Sequence, residues 1–172
     1  MTEKSLNIVN AQINEEFYSA YLYLAFSAKL ENWGLKGAAS WMMIQAKEEL
    51  DHALGFVKFL TERNQEVKLE TITKPENDIK NILEIFKAGL AHEQHITERI
   101  GNIYEIAKAE KDHALESFIK WYIDEQVEEE ANANEIIDKL KLIGNEGSAV
   151  YLIDQELAAR TYLPSGPYAA KA

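Results

Sequence analysis

A chain of 172 residues, 47% hydrophobic and 27% charged, is long enough for one domain with a sizeable core. Its formal net charge of -11 argues against nucleic-acid partners, which are met by basic patches, and would draw cations instead. Cysteine is absent, which excludes disulfides, iron-sulfur clusters, thiolate zinc sites and thiol nucleophiles together.

With three prolines, eight glycines and much Ala, Leu, Glu and Lys, the chain reads as nearly all helix. No run of about 18 apolar residues exists. Met1-Thr2-Glu3-Lys4 leads directly into an amphipathic pattern rather than a signal peptide, so the expectation is a cytoplasmic protein with no membrane partner.

The first helix is expected from about Ser5 to Asn32, capped by Thr2 or Ser5, with Leu6, Val9, Ile13, Phe17, Ala20, Leu24 and Ser27 inward. Trp33-Gly34 ends it, and a tight return leads into a second helix reaching about Asn64, with Met42, Ala46, Ala53, Phe56 and Leu60 inward. The stretch from about Gln65 to Asn77 carries Pro75 and no helical period. As an extended segment of about a dozen residues it spans roughly 40 Å, about the length of a 28-residue helix.

It therefore crosses the whole bundle and starts the third helix parallel to the second. That helix is expected from about Asp78 to Lys108, with Ile82, Phe86, Leu90, Ile96, Ile100, Ile103 and Ala107 inward. A fourth follows from about Asp112 to Ile143, with Leu115, Phe118, Tyr122, Ala133, Ile136, Leu140 and Ile143 inward. A short fifth helix, Ser148 to about Ala159, presents Val150, Tyr151, Ile153 and Leu157, and is too short to stand undocked. The fold expected is an all-α four-helix bundle with one long crossover, then the fifth helix and an irregular tail from 160 to 172, all in one domain.

Each long helix interrupts its apolar stripe near the middle with a group that can bind metal. These are Glu16 on the first, Glu49 and His52 on the second, Glu93 on the third, and Gln126 and Glu129 on the fourth. Glu16 lies 19 residues before the turn at Leu35, while Glu49 and His52 lie 14 and 17 after it. Glu93 lies 17 before Glu110, and Gln126 and Glu129 lie 16 and 19 after it. At about 1.5 Å per residue, all six fall within roughly one and a half turns of one level. A lone E-x-x-H is a weak motif. Four glutamates arriving level in a core would repel one another unless cations joined them.

Carboxylates with one imidazole suit Fe, Mn or Zn, and enough carboxylates exist to bridge two ions. Tyr23, two turns from Glu16 on the same face, is either a core tyrosine or a group that hydrogen-bonds a ligand or supplies an electron. Glu48, Glu125 and Glu128 flank the inward positions, either as a solvated acidic face or to hold a third ion. His92, His95 and His113 show no matching partner and read as surface or packing residues, and Trp33, Trp41 and Trp121 read as packing residues.

The stretches Asn14-Glu15-Glu16-Phe17-Tyr18-Ser19-Ala20-Tyr21-Leu22-Tyr23, Glu48-Glu49-Leu50-Asp51-His52, His92-Glu93-Gln94 and Trp121 through Glu130 resemble those of prokaryotic non-haem ferritins. The resemblance covers essentially the whole chain. It implies a first iron site at Glu16, Glu49 and His52 with Gln126 beside it, and a second at Glu93 and Glu129 bridged by Glu49. It also implies a third site at Glu48, Glu125, Glu128 and Glu129, and a tyrosine beside the centre at Tyr23. The implied activity is oxidation of Fe(II) by dioxygen or hydrogen peroxide, with the ferric product stored as a mineral in a shell of 24 subunits. The fifth helix is implied to pack around the four-fold axes.

Departures sort the relatives. Bacterioferritins carry a second E-x-x-H where this chain has Gln126 and Glu129, and ligate haem with a methionine where it has Leu50, so no haem is expected. Rubrerythrins need cysteine-ligated iron, and DNA-protecting mini-ferritins lack the fifth helix. A di-metal oxidase or peroxidase on the same bundle, without storage, is the alternative reading.

Overall fold

The computed structural model describes residues 1–75, 78–144 and 147–169, and its regular elements are five helices. They are α1 (Glu3–Asn32), α2 (Lys36–Glu62), α3 (Ile82–Ala109), α4 (His113–Ile143) and α5 (Gly147–Leu157). Helix α1 packs on α2, α3 on α4, and α1 also lies beside α3, while α5 docks on both α2 and α4. No helix among the described residues is long and apolar enough to cross a membrane.

Local chemistry sets the helix ends. The Thr2 hydroxyl accepts from Ser5 N–H at 3.2 Å and opens α1. Helix α3 begins four residues later than the sequence pattern indicates. Asn81 caps it by accepting from Glu84 N–H at 2.9 Å, and the Glu84 carboxylate reaches back to Lys80 N–H at 2.8 Å. Ile79 still packs on the core, so the apolar period runs one step past the true helix start. Helix α2 ends at Glu62, short of Asn64, which takes a left-handed φ of 54°.

The crossover does run the length of the bundle. Near the end of α2 it is clipped to α1 by two asparagines one turn apart. The Asn10 amide donates to Glu66 O at 3.1 Å and accepts from Lys68 N at 2.6 Å; Asn14 repeats this with Lys68 O at 3.1 Å and Glu70 N at 2.8 Å. Alternate backbone groups of the connection are thereby satisfied as a strand would satisfy them. Residues 76 and 77, expected at the end of this connection, lie outside the described residues. At the far end, Ile82 and Ile85 pack in one cluster with Leu30 and Ala38.

Two inward assignments move. Leu24 is 43% exposed, because the buried stripe of α1 runs through Leu22, Tyr23, Phe26 and Ser27 instead. Tyr151 is 60% exposed, since α5 turns Ile153, Asp154 and Leu157 toward the bundle. The core itself is divided. One apolar cluster gathers Tyr23, Phe26, Leu30, Met42, Phe86 and Leu140; the other gathers Val9, Ile13, Phe56, Leu60, Ile100, Leu115 and Tyr122. The polar layer lies between them.

Helix α5 holds the bundle at one end through a buried carboxylate. Leu35 offers α2 no side-chain cap, and Asp154 supplies it from α5 by accepting from Ala38 N–H at 2.9 Å. The approach is possible because residue 37 is glycine: a Cβ there would stand 1.7 Å from the Asp154 carbonyl oxygen. Gly37→Ala is therefore expected to lift α5 off α2 and cost about 3 kcal/mol or more. Urea denaturation with hydrogen exchange over α5 measures it; native protection of α5 in the variant would contradict this packing.

Candidate metal centre

The polar layer is built from one turn of each long helix. Glu16, Glu49, His52, Glu93, Gln126 and Glu129 are all buried. Each sits in its helix's inward stripe, so folding of the apolar neighbours drags it inside. Among the described residues, one group of metal-competent side chains converges: a ligand atom from each of Glu16, Glu49 and His52 lies within 4.8 Å of the other two. His52 turns Nδ1 toward Glu49 Oε2 at 3.4 Å, and its ring is fixed edge-on against Trp121 and Tyr122.

The remaining residues are linked to this group by hydrogen bonds. Glu93 accepts from the Tyr23 hydroxyl and from Gln126 Nε2 at 3.1 Å. Glu129 accepts from Gln45 Nε2 at 2.8 Å, and the same amide reaches Glu49 Oε1 at 3.1 Å. Tyr23 is thus placed against the layer as a donor to a carboxylate. The flanking acids do not converge. Glu48 pairs with Arg160, Glu125 accepts from Ser165 Oγ at 3.2 Å, and Glu128 is exposed.

Electrostatics explain how so acidic an interior persists. Burial, and then the charge of Glu49, raise Glu16 to about 8. Burial and Glu49 likewise raise Glu129 to about 7 and lift Glu93 well above the usual carboxylate range. Burial also pushes Glu49 upward, but the hydrogen bond and charge of His52 outweigh it, and Glu49 is held below 4.5. For His52, burial alone would lower the pKa; Glu49 and then Glu16 reverse this and raise it to about 10. Below neutral pH the layer therefore holds one anion, one cation and three protonated acids, and near pH 7 Glu129 begins to give up its proton.

One atom breaks this economy. Glu16 Oε2 is a buried side-chain oxygen that accepts no hydrogen bond among the described residues. An oxygen so placed, against a second carboxylate and an imidazole, fits a hard or borderline divalent ion that accepts its lone pair.

Several contributors carry no motif. Gln12 and Gln45 precede Glu16 and Glu49 by one turn, and Gln12 Nε2 donates to Glu16 Oε1 at 2.8 Å. Each glutamine oxygen is held in turn by an arginine: Arg99 on Gln12 at 2.9 Å and Arg160 on Gln45 at 2.9 Å. A polar residue four before each site glutamate, inside the same stripe, was the available signal for the glutamines. His92 packs: its Nε2 lies 2.7 Å from Ser19 Oγ and its ring meets Tyr18 and Tyr23 edge-on. His95 faces Glu15 at 3.6 Å and His113 faces Glu116 at 3.5 Å. Trp41 packs edge-on against Phe86, as a core residue should.

Comparison with known proteins agrees with this architecture. Residues 6–143 match the family model of the ferritin-like domain. The bacterial non-heme ferritin of Staphylococcus haemolyticus is 38% identical over 162 residues, covering 94% of this chain and 98% of the relative. That of Campylobacter jejuni is 38% identical over 155 residues, covering 90% and 93%. The crystal structure of an open pore ferritin from the hyperthermophilic archaeon Archaeoglobus fulgidus superposes with a TM-score of 0.92 at 42% identity, covering 94% of this chain and 99% of that one. A five-helix bundle with this layer, matched along nearly its whole length, belongs to the ferritin family.

Proposed function

We propose that this protein stores iron: one domain oxidises Fe(II) at the buried layer, and the Fe(III) product is kept as a mineral within a shell of 24 copies. The observation that carries the reading is the convergence of Glu16, Glu49 and His52 around Glu16 Oε2, which accepts no hydrogen bond among the described residues. Those three groups bind one Fe(II) as substrate, with Gln126 beside them. Glu93 and Glu129 take a second Fe(II), and Glu49 touches both. Four carboxylates carry four negative charges, and two Fe(II) carry four positive ones, so the loaded layer is neutral.

Each Fe(II) gives up one electron. Dioxygen takes both, with two protons, and leaves as hydrogen peroxide. The carboxylates stabilise the higher charge on Fe(III) once the electrons have gone. Tyr23 orients Glu93 through its hydroxyl. Assembly is supported by apolar side chains left facing outward, among them Val127 at 70% and Leu152 at 68% exposure.

Size-exclusion chromatography and aerobic Fe(II) oxidation, followed with an oxygen electrode, test the reading together. A particle near 24 subunits that consumes dioxygen and retains iron is expected. A dimer that oxidises Fe(II) and releases it would make the protein an oxidase without storage. No oxidation in any assembly would overturn the reading.

A further inference from the structure

Beyond α5 the chain turns back over the α2/α4 side of the bundle as a half-buried strap. Arg160 stands at its start. The guanidinium stacks on Trp41 at 4.2 Å, donates to Gln45 Oε1 at 2.9 Å and pairs with the Glu48 carboxylate. Further on, Tyr162 OH and Ser165 N–H both donate to Asp51 Oδ2, at 2.6 and 3.0 Å. Ser165 Oγ donates to Glu125 Oε1 at 3.2 Å and lies 3.4 Å from His52 Nε2. Pro167 closes down on Gly55, where a Cβ would stand 3.2 Å from the proline ring and 2.5 Å from the Tyr122 hydroxyl.

Two consequences follow from the chemistry of these groups. A guanidinium has only donors, so Gln45 must give it the amide oxygen and must turn its NH2 inward, onto Glu49 and Glu129. The guanidinium is also a fixed positive charge paired with Glu48 Oε2, so a divalent ion using that oxygen would meet it. Arg160 and Glu48 are largely shielded, with side chains 20% and 13% exposed, so their attraction is only partly screened.

We propose that Arg160 is a tethered cation that closes the α2/α4 mouth of the acidic layer. It competes with divalent ions for Glu48, and it locks Gln45 onto two oxygens that the same ions require. An ion passing this mouth displaces the guanidinium, frees Gln45 and lifts the strap from Asp51 and Glu125. The device rests on the layer being a cation site, and it makes Arg160 a positioning residue rather than a catalytic one.

The test uses the assembled, metal-free full-length protein and Zn²⁺, which has no redox chemistry. Hydrogen exchange of wild-type protein is measured with and without saturating Zn²⁺. Faster exchange at the Ser165 amide, which donates to Asp51, is expected on Zn²⁺ addition; unchanged or slower exchange overturns the proposal. In parallel, calorimetric Zn²⁺ titration compares wild type with Arg160→Gln and Arg160→Lys. Loss of one shielded ion pair should tighten binding at the α2/α4 mouth roughly tenfold in Arg160→Gln, and Arg160→Lys should stay near wild type. Equal isotherms for all three would refute the competition. Should Arg160→Gln not fold, Tyr162→Phe loosens the strap with its charge kept, and faster strap exchange on Zn²⁺ addition is still required. Absence of any Zn²⁺ uptake in the wild-type titration would refute the metal-centre reading, whereas Zn²⁺ uptake with an unmoved strap would refute this proposal alone.

Discussion

Replacing Glu49 by alanine is expected to lower the initial rate of aerobic Fe(II) oxidation by about 100-fold or more. Glu49 stands within ligating reach of Glu16 and His52, and Gln45 ties it to Glu129. It is also the carboxylate that stays ionised at neutral pH, and it keeps the buried imidazole of His52 charged. Its loss removes a ligand from both Fe(II) positions and the counter-ion of His52 at once. Glu49→Gln keeps the volume and should fall nearly as far, since an amide supplies one weak oxygen and no charge. Glu128→Ala, at an exposed position, should leave the initial rate within about twofold of wild type, as surface changes usually do. Stopped-flow oxidation with all three variants measures this; a wild-type rate in Glu49→Ala would refute catalysis at the layer.

The second large effect is of pH on the metal-free protein. Glu16, raised from 4.5 to about 8, keeps its proton in the folded chain while the unfolded chain has lost it, so stability falls as pH rises from 4.5 to 8. Glu129 adds the same loss between 4.5 and about 7, and His52 adds it between 6.5 and about 10. Glu49 acts oppositely, but only below 4.5. Chelator-treated protein should therefore melt highest near pH 5 and lose at least about 2 kcal/mol by pH 8.5.

Metal loading reverses the trend, because ions displace protons. At pH 6.5, filling the layer with two Zn²⁺ should release about four protons per chain, one each from Glu16, Glu93, Glu129 and His52. Calorimetry in buffers of different ionisation enthalpy counts them. Stability that is flat or rising from pH 5 to 8.5 without metal, together with no proton release, would contradict the charge pattern described for the layer.

Much of this was legible in the sequence for a physical reason. A glutamate inside an apolar helical stripe is costly, and four at one level have few explanations, so Glu16, Glu49, Glu93 and Glu129 stand out in the sequence itself. The crossover was legible because chain length sets reach. What escaped has physical reasons too. Leu24 and Tyr151 were misplaced because a stripe read at steps of three and four drifts by a residue, which moves a side chain about 100° around the helix. The start of α3 was set by Asn81 and Glu84 hydrogen bonding backbone, which hydrophobic periodicity does not register. Arg160, Tyr162 and Ser165 lie in a segment with no period at all, and their partners on α2 and α4 are more than a hundred or about forty residues away in the chain.

Anomalous diffraction tests most directly whether cations complete the buried acids. Crystals soaked aerobically in Fe(II) and measured on both sides of the iron edge are expected to show a peak bounded by Glu16, Glu49 and His52, with a second toward Glu93 and Glu129. A fully folded, soaked crystal with iron only on the protein surface, and none at this layer, would contradict it.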